Sequence, residues 1–414
     1  MTAKFIASAL ALLVAATVSG CGSDDSGSGS KTLNWYVFKE PGGSYDAAVA
    51  DCNKKAGGRY KIVYQALPTD ANQQRELLVR RLAAEDSSVD LVGMDVIWTA
   101  EFAQAGWIKP WSGENATAAR EDRLEGPLKS VEYEGKVWAA PFTSNTQLLW
   151  YRKDKVPTPG PNVTWDQIID EAKKQGKSIE VQGNQYEGLT VWVNALVAGG
   201  GTPLVNQDGE VTASNAAVEK AAEIMVRLAK DAGPPGLNTN KEDEARIGFE
   251  SERSYYQINY TFIYPSAAEN VDEAFQKKIG WARYPRTFAD KESRPPLGGI
   301  NVGVGNYTKN PDLAFEAARC LASPEHQVVA AEKGGLAPSS EAVYDDPKVE
   351  KAFPFSDVLR ESIEAAGPRP VTPAYSDISL AIQKTFHPPG EIDPKDVVSK
   401  LKDRLEKAGE GKIF

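Results

Sequence analysis

Histidine is scarce in this chain: of 414 residues only His326 and His387 are histidines, and only three are cysteines. No HExxH and no CxxC occurs, so the ligand sets of structural and catalytic zinc are missing and no metal is expected. A GxSxG elbow is missing too, and His326 falls in a helical stretch where it reads as a partly exposed surface residue rather than a catalytic base. Gly176-Lys177-Ser178 imitates the end of a phosphate loop, yet Glu171 stands where that loop requires glycine. The glycines of GGINVGVG lie in a run that is itself extended and apolar, not in a turn between strand and helix, so no cofactor is expected. Positive charge is also short, with 47 Lys and Arg against 57 Asp and Glu, which argues against nucleic acid as a partner. Carboxylates are plentiful enough to leave glycoside hydrolysis open, because its acid and base need only meet in space.

Long apolar runs are missing everywhere except at the start, where Lys4 precedes FIASALALLVAATVSG. That run is short for a permanent membrane helix and reads as a signal peptide over residues 1–20. Val18, Ser19 and Gly20 then lead into Cys21, a small-residue cleavage site directly before a cysteine, which resembles a bacterial lipobox. The resemblance implies cleavage before Cys21, diacylation of its sulfur and palmitate-type acylation. Residues 21–30 follow as a Gly/Ser-rich leash that cannot bury enough apolar surface to order itself. The mature chain is therefore expected on the outer face of the cytoplasmic membrane, touching the bilayer through the anchor only. With Cys21 used in this way, Cys52 and Cys320 remain, an even count in an oxidising compartment, and they are expected to form a disulfide. Two separately buried thiols are the alternative.

The composition, 41% hydrophobic and 25% charged, is that of a globular chain, and at roughly 150 residues per domain it holds two or three units. TLNWYVF and YKIVYQAL read as strands around the helical SYDAAVADCNKKAG. ANQQRELLVRRLAAED predicts a helix with Leu77, Leu78 and Leu82 on one face, followed by the strand DLVGMDV and a helix from about Trp98. This alternation implies parallel strands with crossover helices, an α/β unit. Further on, Ser214 can cap a helix carrying Val218, Ala222, Met225 and Leu228 at helical spacing. NPDLAFEAARCLASPEHQ and the terminal DPKDVVSKLKDRLEKAG read as amphipathic scaffold helices.

What the chain does have is nine tryptophans, several beside carboxylates and amides at strand ends. A sugar matches that combination. Its vicinal hydroxyls suit a carboxylate or an amide, and its C–H face lies flat on an aromatic ring. For any one tryptophan, core packing is the favoured reading.

LVGMDVIWTAEFAQAGWIKPW, SNTQLLWYRKD, QYEGL, LGGINVGV, GGLAPSSEAVYDDP and RPVTPAYSDIS occur in that order. As an ordered set behind a lipobox they resemble the extracytoplasmic solute-binding lipoproteins of ABC sugar importers, the group that includes maltose- and trehalose-binding proteins. The resemblance implies an α/β, two-lobe, periplasmic-binding-protein-like clamp with a ligand groove between the lobes. It places the first lobe at 31–142 and 298–340 and the second at 143–297 and 341–414. It also implies a monomeric receptor without catalysis, which takes a disaccharide, trehalose first, to the transmembrane subunits of a permease. A lipid-anchored glycosidase is the rival, as is the same clamp holding a maltose-type sugar, a larger glycan, a glycerophosphodiester or a peptide.

Carried over residue by residue, Asp95 matches the family's strand-end acid, Asn145 its sugar-binding amide and Arg369 a donor from the second lobe. Glu40 and Glu187 become further acceptors, and Gly298 and Gly299 offer backbone groups at a crossing between lobes. Tyr260 stands where relatives often carry tryptophan, and Trp98, at the start of the helix beside Asp95, is a candidate for the groove wall. Trp107 and Trp111 read as packing, and Glu250 as a solvated helix charge. Without the resemblance the structural readings are favoured: Asp95 as a helix cap, Asn145 as a hinge-turn residue, Glu40 as a loop charge, and the glycine pair as an eased hinge.

Overall fold

The computed structural model describes residues 30–206 and 210–409. The expected signal peptide, the expected lipidation site Cys21 and the expected leash up to residue 29 lie outside the described residues. The run TLNWYVF folds as β1 (Lys31–Phe38), with Leu33, Trp35 and Val37 completely buried in the period of two that a strand imposes. β2 (Tyr60–Leu67) pairs with it in parallel from Lys31↔Tyr60 to Phe38↔Leu67, and β3 (Leu91–Asp95) runs parallel on its other side. The crossovers are the helices Ser44–Lys55 and Ala71–Ala83, the second capped by Asp70, which accepts from Gln73 N. A short hairpin, β4 (Glu132–Tyr133) and β5 (Lys136–Val137), precedes β6 (Ala139–Asn145).

After β6 the chain leaves this sheet through Thr146 and Gln147, both buried, and starts a second one. That sheet contains β7 (Leu148–Arg152), β8 (Ser178–Glu180), β9 (Ser254–Asn259) and β10 (Ile279–Ala282), in the order β10-β7-β9-β8. The chain then returns as β11 (Gly298–Val304), which enters between β3 and β6 and pairs antiparallel with both. The first sheet is thus β2-β1-β3-β11-β6, mixed rather than all parallel as the local alternation implied. β11 arrives from the other sheet, at the end where β3 and β6 finish, so it can only run against them. The fold is a mixed α/β architecture of two lobes.

Two lobe cores form, one around Trp35, Trp98 and Trp111 and one around Trp165 and Trp192, with a third cluster around Trp150, Phe353 and Phe355. Three local expectations change. Leu78 and Leu82 are buried but Leu77 is 39% exposed, since adjacent helical residues point about 100° apart. The stretch 310–327 does not form one helix: Pro311–Leu321 and Pro324–Gly334 are separate, because Pro324 cannot continue a helix from the preceding turn. His326 is not a surface residue but 2% exposed. Its Nδ1 donates to the Cys320 carbonyl at 2.7 Å and its Nε2 meets Asp51 Oδ2 at 3.1 Å. It lies against the Cys52–Cys320 disulfide, whose Cα atoms are 5.9 Å apart and which ties the helix Ser44–Lys55 to Pro311–Leu321.

Candidate functional site

The strand directions determine where a ligand can sit. β1, β3 and β6 are mutually parallel, so their carboxyl ends, together with the first residues of β11, share one end of the first sheet. The register sets Ile300 opposite Asp95 and Gly298 opposite Asn145. β7 starts and β9 ends at the facing side of the second sheet, where Leu148 pairs with Asn259. Between them lies a cavity of about 520 Å³, within the range of small-molecule sites.

Eight of the nine residues singled out from sequence line it: Glu40, Asp95, Asn145, Glu187, Tyr260, Gly298, Gly299 and Arg369. Trp98 does not. Its ring is 2% exposed and stacks on Phe102 with centroids 5.8 Å apart, because its position at the helix start turns it into the first core rather than toward the groove.

Arg369 is the centre of the polar site. Its Nη1 donates to Glu187 Oε1 at 2.7 Å and its Nη2 to Asp95 Oδ1 at 3.0 Å, so one guanidinium joins carboxylates on opposite walls. Burial opposes its charge, but Asp95, Tyr375 and Glu187 around it hold the proton more firmly than usual. Asp95 Oδ1 also accepts from Ile97 N at 3.2 Å, which shapes the turn after β3. Three polar atoms of lining residues are buried without a hydrogen-bond partner among the described residues: Arg369 Nε, Asn145 Oδ1 and the Tyr186 hydroxyl.

Two of the expected acceptors are already occupied. Glu40 Oε2 accepts from Ser44 N and Ser44 Oγ, both at 2.7 Å, and Oε1 accepts from Gly42 N. The carboxylate therefore satisfies the free amides at the start of the following helix, a need every helix N-terminus has. Glu187 takes Arg369 and the Tyr375 hydroxyl on Oε1 and the Ser379 hydroxyl on Oε2. Burial pushes its carboxyl up, against the lowering pull of Arg369, Ser379 and Tyr375. The glycine pair has a packing reason of its own. A Cβ at Gly298 would stand 2.2 Å from Asn145 Oδ1, and at Gly299, where φ is +141°, 2.2 Å from the Thr143 carbonyl. Glu250 is ion-paired to Arg246 on its own helix and is not among the lining residues.

Sequence reasoning missed Asp70, Lys241 and Glu242, which also line the cavity. Asp70 caps the helix Ala71–Ala83 on one wall and forms an ion pair with Lys241 on the other, whose ammonium lies 5.1 Å from the centre of the Tyr186 ring. Glu242 opens the helix Glu242–Glu250. Burial raises its carboxyl, with the Tyr186 hydroxyl working the other way. The only sequence signal was the N-cap pattern at Asp70. Lys241 and Glu242 sit in the charged run KEDEAR, which reads as solvated surface.

Comparison with known proteins agrees with this geometry. Residues 37–328 match the bacterial extracellular solute-binding protein family. The chain belongs to that family. It is a binding protein and not an enzyme. A probable ABC transporter-binding protein of Deinococcus radiodurans is 28% identical over 354 residues, covering 81% of this chain and 82% of the relative. The diacetylchitobiose binding protein DasA of Streptomyces coelicolor is 24% identical over 356 residues, covering 80% and 81%. Among solved structures, maltose-bound MalE3 of T. maritima superposes with a TM-score of 0.80 at 22% identity, over 92% of this chain and 99% of that one. At that identity the likeness shows the shared two-lobe fold.

Proposed function

We propose that this chain is the receptor of an ABC sugar importer, capturing a neutral disaccharide, trehalose first, and passing it to the permease. The observation that carries the reading is that two of the unpartnered groups, Asn145 Oδ1 and Arg369 Nε, belong to one cavity. Leaving a buried donor or acceptor unmet costs about 1–3 kcal/mol. A sugar hydroxyl can donate to the first and a neighbouring one can accept from the second, meeting both needs with one ligand. Asp95 adds a charged acceptor beside them, and Tyr260 a ring able to stack and to hydrogen-bond.

The charge of the lining supports a neutral ligand. Seven carboxylates (Glu40, Asp70, Asp95, Glu187, Glu242, Asp243, Glu244) face three cations (Lys39, Lys241, Arg369), so a phosphodiester would meet an excess of its own sign. Relatives named for diacetylchitobiose and for mannitol favour a neutral polyhydroxy ligand, and the ordered segments resemble those of LpqY, the mycobacterial trehalose-recycling lipoprotein. In this reading 31–142 with 298–340 forms one jaw and the rest of the mature chain the other. Diacylated Cys21 holds a monomer at the outer face of the cytoplasmic membrane. Titration calorimetry on a soluble form beginning after Cys21, with trehalose, maltose, sucrose and diacetylchitobiose, is expected to give single-site binding of trehalose. Absence of heat and of thermal stabilisation with every glycan would overturn the proposal, and cleavage of the disaccharide on prolonged incubation would replace it with a glycosidase.

A further inference from the structure

We infer that Glu187 serves the ligand through Arg369, as the positioning carboxylate that aims the guanidinium, and does not itself hold a sugar hydroxyl. The inference rests on the sugar-binding reading of Arg369 above. Glu187 is the first residue of the helix Glu187–Ala198, where the helix dipole favours a negative charge. Its carboxylate accepts from Arg369 Nη1 at 2.7 Å, from the Tyr375 hydroxyl and from Ser379 Oγ at 2.6 Å. Three of its roughly four acceptor positions are thereby filled by the protein. The cradle is itself braced. Ser379 Oγ lies 2.8 Å from Thr190 Oγ1 and accepts from Gln383 Nε2 at 2.9 Å, joining the helices Glu187–Ala198 and Tyr375–Phe386.

The consequence falls on Arg369. Nη1 is held by Glu187, and Nη2 by Asp95 at 3.0 Å and the Leu297 carbonyl at 3.4 Å, leaving Nε as the one nitrogen without a protein acceptor among the described residues. Because a guanidinium is planar, fixing both terminal nitrogens fixes the direction of Nε. Asp95 lies on the opposite wall, so Glu187 is the carboxylate that aims Arg369 from within its own lobe.

The test is a double-mutant cycle with Glu187→Gln, Arg369→Gln and their combination, read by calorimetry with trehalose and by thermal unfolding without ligand. Glu187→Gln is expected to weaken trehalose binding about tenfold when Arg369 is present and less than about twofold in the Arg369→Gln background. The same factor in both backgrounds would show that Glu187 touches the sugar directly, and no loss in the Arg369 background would also overturn the inference. Tyr375→Phe removes one donor to Glu187 while keeping every charge, and is expected to weaken binding about threefold; unchanged affinity contradicts the cradle. If wild type binds none of trehalose, maltose and diacetylchitobiose, the sugar reading fails and the unfolding data decide the positioning claim. Glu187→Gln should then lower the Tm by about 3 °C when Arg369 is present and raise it in the Arg369→Gln background, where it removes an unpaired buried charge. Equal drops in both backgrounds would overturn it.

Discussion

Replacing Asp95 by asparagine keeps the shape of the side chain and removes its charge. Oδ1 accepts from Arg369 Nη2 at 3.0 Å and from Ile97 N at 3.2 Å, and the side chain is 21% exposed. An amide oxygen can keep the Ile97 contact, so the turn after β3 survives. What is lost is the charge across the groove and the charged acceptor offered to a sugar hydroxyl. A hydrogen bond to a charged group is worth about 1.5–3 kcal/mol, and each 1.4 kcal/mol is tenfold, so Asp95→Asn should weaken binding roughly 10- to 100-fold. Stability should fall by about 1.5–3 kcal/mol, since the Arg369 side chain is only 3% exposed and loses one charged acceptor while it retains Glu187 at 2.7 Å. Titration calorimetry with trehalose gives the first quantity and ligand-free thermal unfolding the second. An affinity within twofold of wild type would refute the assignment of Asp95 to the site, and a loss of affinity matched by collapse of the fold would make its role structural.

Glu242→Gln is expected to raise the Tm at pH 7. The folded state raises this carboxyl above its ordinary 4.5, so its contribution to stability is greatest below that pH and is lost as pH rises through the folded value. The gain over wild type should therefore shrink toward pH 4, and a gain independent of pH would contradict the cause given. Trp98→Ala should cost about 3–5 kcal/mol by chemical denaturation, because the ring is packed on Phe102. A selective loss of sugar affinity with unchanged stability would restore Trp98 to the groove. Replacing Cys52 and Cys320 together by alanine should cost about 3–5 kcal/mol, as the bond closes a separation of 268 residues. An unchanged unfolding midpoint would show that packing around His326 already holds the two helices together.

Much of the architecture is readable because local signals are strong. TLNWYVF and DLVGMDV carry the β-branched and apolar content of buried strands, and Asp95 and Asn145 stand where such strands stop. The break between Pro311–Leu321 and Pro324–Gly334 was also written in the sequence, at Ser323-Pro324. Other features depend on partners that no local window contains. Glu40 and Glu187 have the composition of ligand acceptors, but the amides after Pro41 and the hydroxyls of Tyr375 and Ser379 reach them first. Trp98 differs from a groove residue only in the direction its helix start gives it. Asp70 and Lys241 are 171 residues apart, and only the facing of two helix starts across the groove turns two apparent surface charges into a bridge between its walls.

The central claim is that one ligand answers Asn145 Oδ1 and Arg369 Nε together, and a crystal structure of the protein with trehalose tests it most directly. The account predicts a disaccharide between the two sheets, with one hydroxyl hydrogen-bonded to Asn145 Oδ1 and another to Arg369 Nε, and Asp95 accepting a third. A sugar bound elsewhere, or bound in the cavity with Asn145 Oδ1 and Arg369 Nε still unpartnered, would contradict it.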